Sequence, residues 1–166
     1  MQDTTTTTTQ YLTYTLAGEV FALDITKVRE VLDFTTVTHV PSMPDFMMGV
    51  INLRGSVVPV VDLRAKFHMP REEKTVNTCV IITEVVIDGE TAVLGALADS
   101  VQEVVDLDRH QIEPAPRIGT KLHTDFIRGM GKHGDRFLIL LDIDKVFSAD
   151  DLILTEEAAA VSAAAA

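Results

Sequence analysis

Apolar residues along this chain either alternate with polar ones or stand in short unbroken blocks, the signatures of half-buried and fully buried β-strands. Tyr11 to Leu16 alternates, Ala17-Gly18-Glu19 is a turn signal and Val20 to Leu23 returns, which predicts a hairpin. Asp24 stands where it can cap a short helical turn, because Ile25, Val28 and Arg29 follow at helical spacing. The loop Val40-Pro41-Ser42-Met43-Pro44 is punctuated by two prolines, and Phe46 to Leu53 is a short apolar segment broken by Gly49. Val57-Val58-Pro59-Val60-Val61 predicts a buried strand whose Pro59 has to sit at an edge or a bulge, since proline cannot donate to the ladder. Cys79 to Ile87, Asp88-Gly89 and Thr91 to Leu97 form the clearest hairpin, and Phe137 to Leu141 is a further continuous apolar strand. Ser148 with Asp151 resembles a capping box that opens a C-terminal helix over about 149–160. The threonine run of residues 1–10 reads as a disordered tail, and the alanine-rich residues 155–166 as a second tail.

The pattern repeats. At a shift of 80 positions, Phe46 meets Phe126 and Gly49 meets Gly129. At the same shift Val58, Val60, Val61, Asp62 and Leu63 meet Leu138, Leu140, Leu141, Asp142 and Ile143, and Phe67 meets Phe147. At a shift of 73, Val28, Glu30 and Val31 meet Val101, Glu103 and Val104, each block preceded by a Gly-Glu turn, Gly18-Glu19 or Gly89-Glu90. Collinear order over two blocks points to two related small β-units. At about 65 residues neither buries enough surface alone, so each is expected to lean on the other and leave a groove between them.

Composition narrows the function. The formal net charge of -11 argues against a nucleic-acid binder and against a protein that adheres to anionic membranes. The single cysteine, Cys79, lies in an apolar run and reads as a small buried hydrophobe; it can form neither an internal disulfide nor a cysteine-rich zinc site. Neither a signal peptide nor an apolar run long enough to span a bilayer is legible, so a cytoplasmic location is expected, with any membrane anchor borrowed from a partner.

Catalytic chemistry finds no support. The five histidines, His39, His68, His110, His123 and His133, lack metal-ligand spacing and read as solvated loop residues. Gly129-Met130-Gly131-Lys132-His133-Gly134 matches G-x-G-x-x-G, but a strand follows it where a dinucleotide site needs a helix. Two stretches read instead as binding surface. Arg54, in Asn52-Leu53-Arg54-Gly55, carries a five-donor fork that can hold a carboxylate such as Glu30 or carbonyls of a partner. Val28, Glu30 and Val31 form the other: as a strand, Val28 and Glu30 share a face; as a helix, Val28 and Val31 do.

From Tyr11 to Leu154 the chain resembles the CheW family. The resemblance rests on Val28-Arg29-Glu30-Val31, on Gly49-Val50-Ile51-Asn52-Leu53-Arg54-Gly55 and on Val58-Pro59-Val60-Val61-Asp62-Leu63-Arg64 with Lys66-Phe67. Further along it continues through Gln111-Ile112-Glu113-Pro114-Ala115-Pro116, Gly129-Met130-Gly131, Gly134-Asp135-Arg136 and Leu138 to Leu141. It implies a mostly β fold of two SH3-like five-stranded barrels around a shared core, with short helices and a C-terminal helix. The barrels are expected to be intertwined over 11–154, roughly 20–75 and 11–19 plus 76–154. The hairpin Glu84 to Thr91 looks slightly longer than the family pattern, which bears on the edge of the second barrel.

The resemblance also implies no enzymatic activity, no cofactor and no metal. It implies an adaptor, monomeric when free, that couples the cytoplasmic tips of chemoreceptors to the regulatory domain of the histidine kinase CheA and is recruited to membrane-associated receptor arrays. The receptor's helical hairpin would lie in a groove lined by Val28, Glu30, Gly49 and Arg54 from the first barrel and Gly95, Val101 and Val104 from the second. The alternative is the same fold as a regulatory module of a larger kinase or of a receiver-containing coupling protein. The start at Met1, the alanine tail and the lack of an acidic phospho-acceptor cluster speak against it.

Overall fold

The structure is a computed structural model that describes residues 8–34, 37–39, 41, 44–67, 69–70, 73–87, 89–114 and 126–146. Among the described residues eleven strands and two short α-helices follow in chain order: β1 (Thr9–Leu16), β2 (Glu19–Asp24), β3 (Val28–Asp33), β4 (Met47–Leu53), β5 (Ser56–Asp62), α1 (Leu63–Lys66), β6 (Cys79–Ile87), β7 (Glu90–Ala98), β8 (Ser100–Leu107), β9 (Ile112–Glu113), β10 (Ile127–His133), β11 (Arg136–Leu141) and α2 (Ile143–Val146). The expected hairpins are present. Ala17 and Gly18 turn β1 into β2 with φ of 51° and 83°, and β6 pairs with β7 from Cys79↔Ala98 to Ile87↔Glu90. Asp24 caps a single 3-10 turn, Ile25–Lys27, by accepting the Thr26 amide at 2.9 Å. The segment from Val28 is a strand, but a register shift between Val28 and Glu30 breaks its alternation: Val28, opposite Thr83, packs on the shared core, whereas Glu30 and Leu32, opposite Ile82 and Val80, lie on the other face. Pro59 pairs with Val50 of β4 and lies one residue ahead of Val60, where the pairing with β7 begins.

The strands sort into a six-stranded sheet, β8-β1-β2-β11-β10-β9, and a five-stranded sheet, β3-β6-β7-β5-β4. This corrects two expectations. The sheets are open orders rather than closed barrels, because among the described residues no ladder joins β8 to β9 or β3 to β4; an isolated bridge, Thr38↔Val50, extends the β4 edge. The division into 20–75 and 11–19 plus 76–154 also differs from the strand sorting. The hairpin β6–β7 completes the sheet of β3 to β5, and the whole hairpin β1–β2 completes the sheet of β8 to β11. β1 also begins at Thr9, inside the stretch read as a tail. The C-terminal helix, its Ser148 cap and Phe147 lie outside the described residues.

The repeat explains this sorting. β4–β5 and β10–β11 carry their register shifts at Met47/Gly49 and Ile127/Gly129, and Asp62 and Asp142 donate their amides to Phe46 and Phe126 at 2.7 Å each. β5 runs parallel to β7 with Val60 opposite Gly95, and β11 runs parallel to β2 with Leu140 opposite Ala22. Each half therefore lends its hairpin to the other half's sheet.

Both faces of the lent strands are apolar, and the core has matching parts. Tyr11, Val20 and Ala22 point into a cluster with Val105, Leu107, Leu138 and Leu140 under the six-stranded sheet. Val80, Ile82 and Leu97 join Ile51, Val58 and Val60 under the five-stranded one. The alternate residues, among them Tyr14, Phe21, Leu23, Ile81 and Val61, meet in a shared core between the sheets. Alternation with period 2 thus feeds two private cores and one common core, and burial of each such side chain contributes about 1.5–3 kcal/mol. A column of stacked rings crosses the common core, Tyr14–Phe21, Phe21–Phe67 and Phe67–Phe126, at centroid separations of 5.9, 6.1 and 4.6 Å.

Candidate functional site

The β4–β5 turn is two residues long, Arg54-Gly55, between the paired Leu53 and Ser56. Both turn residues are left-handed, with φ of 52° at Arg54 and 87° at Gly55, and the Asn52 carboxamide oxygen accepts the Gly55 amide at 2.9 Å. A left-handed conformation suits glycine and disfavours a side chain with a Cβ, so an arginine held there calls for a reason. Its guanidinium grips Glu30 on β3 with both arms, Nη1 to Oε2 at 2.5 Å and Nη2 to Oε1 at 2.9 Å. The hydrogen bonds and charge of Arg54 hold the Glu30 carboxyl below its ordinary value, and Glu30 pushes the guanidinium up. The Arg54 side chain stays 73% exposed while Glu30 is 25% exposed. The pair bridges the β3 edge of the five-stranded sheet to the β4–β5 turn at its other side and presents donors outward from that pinned position.

Of the seven residues expected to line a groove, Glu30 and Arg54 are in direct contact, while Val28, across the register shift in β3, turns to the opposite face and packs on the shared core. Val101 is half-buried and Val104 is 46% exposed, both on β8 at the edge of the other sheet. Gly49 and Gly95 are buried. A Cβ on Gly49, whose φ is 147°, would stand 2.1 Å from the Thr38 carbonyl oxygen, and one on Gly95 would stand 2.7 Å from Val80 Cγ1. Both glycines admit close approach of neighbouring segments, so they shape the surface from within. Gly129 and Gly131, in the G-x-G-x-x-G match, are likewise strand residues packed against Glu113 and Leu107. Val31, counterpart of Val104, is 41% exposed, so these two valines are surface residues and not core.

Sequence reasoning missed a buried junction. Arg64 on α1 is 5% exposed and binds Asp99, at the β7–β8 corner, through Nε at 3.0 Å and through Nη2, while Nη1 reaches the Pro70 carbonyl at 2.7 Å. Asp99 also accepts the Ala17 amide at 2.9 Å and donates its own amide to Thr15, which ties the β1–β2 hairpin to the other sheet. An open cleft of about 240 Å³ lies alongside, with His39, Asp62, Arg64, Lys74 and Asp99 in its walls. At the repeat-related place on α2, Asp144 takes Lys27 at 2.6 Å and the Val86 amide at 2.8 Å. The two junctions have opposite polarity at the helix, so no residue-type repeat marks them in the sequence.

Among the described residues no helix is long and apolar enough to cross a membrane. A family model described as the CheW-like domain matches residues 10–151. The chain is 38% identical over 150 residues to the chemotaxis protein CheW of Klebsiella aerogenes, covering 90% of this chain and 88% of that one. It is 31% identical over 142 residues to CheW of Rhizobium meliloti, covering 86% and 89%. The crystal structure of the scaffolding protein TtCheW from Thermoanaerobacter tengcongensis superposes with a TM-score of 0.76 at 32% identity, covering 87% of this chain and 96% of that one.

Proposed function

The chain belongs to the CheW-like family and is a coupling adaptor of chemotaxis, and we propose that it acts by bridging the cytoplasmic tips of chemoreceptors to the regulatory domain of the histidine kinase CheA. The Klebsiella aerogenes and Rhizobium meliloti relatives, matched over most of both chains, are named as CheW proteins, so the reading as a regulatory module of a larger kinase is not favoured. The observation that carries the receptor-binding half of the proposal is Arg54. It is an arginine kept in a left-handed turn, clamped by Glu30 and still largely exposed. Ala17, in the β1–β2 hairpin turn, is equally left-handed, so what sets Arg54 apart is the guanidinium locked on Glu30. The guanidinium has five donors, so it can engage carbonyls or carboxylates of a receptor helix while Glu30 fixes its plane. Val28 anchors the start of β3 on the shared core and so positions Glu30, while Gly49 and Gly95 shape the wall from within. Val101 and Val104 extend the receptor-facing lining onto β8.

The proposed adaptor works without catalysis, cofactor or metal, is monomeric when free, and reaches the membrane only through the receptor arrays it joins. Titrating a receptor cytoplasmic fragment into the protein tests the site. Arg54→Ala and Glu30→Lys should each weaken binding while circular dichroism stays that of the parent. Parent-like binding by both variants would remove these residues from the receptor surface, and loss of the β-sheet spectrum would make them structural instead.

A further inference from the structure

The repeat that places Glu30 and Arg54 also places their counterparts in the other sheet, and there the pair is incomplete. Glu103 on β8 stands where Glu30 stands on β3, 73 positions on. Each of the two strands carries a register shift at this point, between Val28 and Glu30 in one and between Val101 and Val104 in the other. The counterpart of Arg54, 80 positions on, is Gly134, which opens the β10–β11 turn with a left-handed φ of 64° against 52° at Arg54. The backbone is kept and the arginine is gone.

The backbone of Glu103 is nonetheless fixed from β1. The buried Thr13 hydroxyl donates to its carbonyl at 2.7 Å and accepts its amide at 3.1 Å, which fixes the bulge from which the carboxylate projects. The side chain is exposed, and Val104 beside it is 46% exposed, as Val31 is beside Glu30.

We propose that Glu103 is a recognition residue that takes from the partner the cation that no described residue of its own sheet supplies: an arginine or lysine of the receptor's helical hairpin, with Val104 packing on an adjacent apolar residue. The inference rests on the receptor-binding reading above and gives that surface its charge specificity. Complementary charge with an apolar neighbour is how such contacts fix register.

The structure supplies its own competitor. A Cβ on Gly134 meets nothing within 4 Å, and a left-handed arginine already exists at the equivalent turn. Gly134→Arg should therefore restore an internal partner for Glu103 and withdraw it from the receptor. With the full-length protein and a receptor cytoplasmic fragment, Glu103→Gln should weaken binding about threefold to fivefold, as for an exposed ion pair, and the difference should shrink at high salt. Gly134→Arg should weaken binding similarly, yet add nothing in a Glu103→Gln background. Arg54→Ala, run in parallel, reports on the underlying reading. If it weakens binding while Glu103→Gln binds like the parent, the inference about Glu103 is wrong and the receptor-binding reading stands. If the unsubstituted protein does not bind the fragment, that reading fails and Glu103 falls with it. Should Gly134→Arg not fold, Glu103→Gln decides alone.

Discussion

Asp99→Ala removes a carboxylate that accepts three hydrogen bonds, two from Arg64 and one from the Ala17 amide. The consequence depends on what is left behind. Arg64 has a side chain only 6% exposed, so its charge remains in the junction facing a methyl group. Breaking a buried pair on one side costs roughly 3–5 kcal/mol. Asp99 is 33% exposed, so water can enter at its end and repair part of the loss. We expect a net destabilisation of about 2–3 kcal/mol, which for a chain of this size lowers Tm by about 5–10 °C. The junction joins the β1–β2 hairpin of one sheet to the β7–β8 corner of the other, so the loss should appear in the global thermal transition. Differential scanning calorimetry of Asp99→Ala and Asp99→Asn beside the parent provides the measurement, with Asp99→Asn between the other two. A Tm for Asp99→Ala within about 1 °C of the parent would refute the claim that this pair locks the exchanged hairpin.

Gly49→Ala places a Cβ 2.1 Å from a carbonyl oxygen at a φ of 147°, so urea unfolding should show a loss of about 3 kcal/mol or more, and Gly129→Ala, at 2.9 Å from the Glu113 oxygen, a smaller one. Gly18→Ala, with nothing within 4 Å, should lose only the left-handed penalty of about 1–2 kcal/mol. The Tyr14 hydroxyl is fully buried without a hydrogen-bond partner among the described residues, and burial pushes its phenol up. Tyr14→Phe should therefore raise stability by about 1 kcal/mol in the same assay, and a loss of that size would show that the hydroxyl has a partner. Asp24 carries a sign with pH. Burial opposes its charge, but the Thr26 amide and hydroxyl together with Arg128 overcome that and hold the carboxyl below its ordinary 3.8. Its contribution is complete above pH 3.8 and is lost as pH falls through the depressed folded value, so Asp24→Asn should flatten part of the acid limb of a Tm-against-pH curve.

Much of the fold was legible because it rests on local patterns. The turn signal at Ala17-Gly18 and the short apolar runs of β1, β2 and β6 depend on residues near in sequence. The repeat was legible too, since Phe46, Gly49 and Asp62 recur with their backbone partners. The exchange of hairpins was not, because a strand apolar on both faces fits either sheet equally well. Only the parallel registers Val60↔Gly95 and Leu140↔Ala22 decide between them. For the site, Arg54 and its hold on Glu30 followed from the donor geometry of arginine beside a turn glycine. The Arg64–Asp99 junction did not, because its partners lie 35 residues apart with no spacing rule to link them, and its counterpart in the other half has reversed charge.

In the proposed adaptor the surface around Arg54 joins a receptor to a kinase. Autophosphorylation of the cognate CheA, followed with a receptor cytoplasmic fragment in the presence and absence of this protein, tests it directly. The account predicts strong activation that requires all three components and is abolished by Arg54→Ala in a protein that remains folded. Kinase activity independent of this protein, or full activation by folded Arg54→Ala, would contradict it.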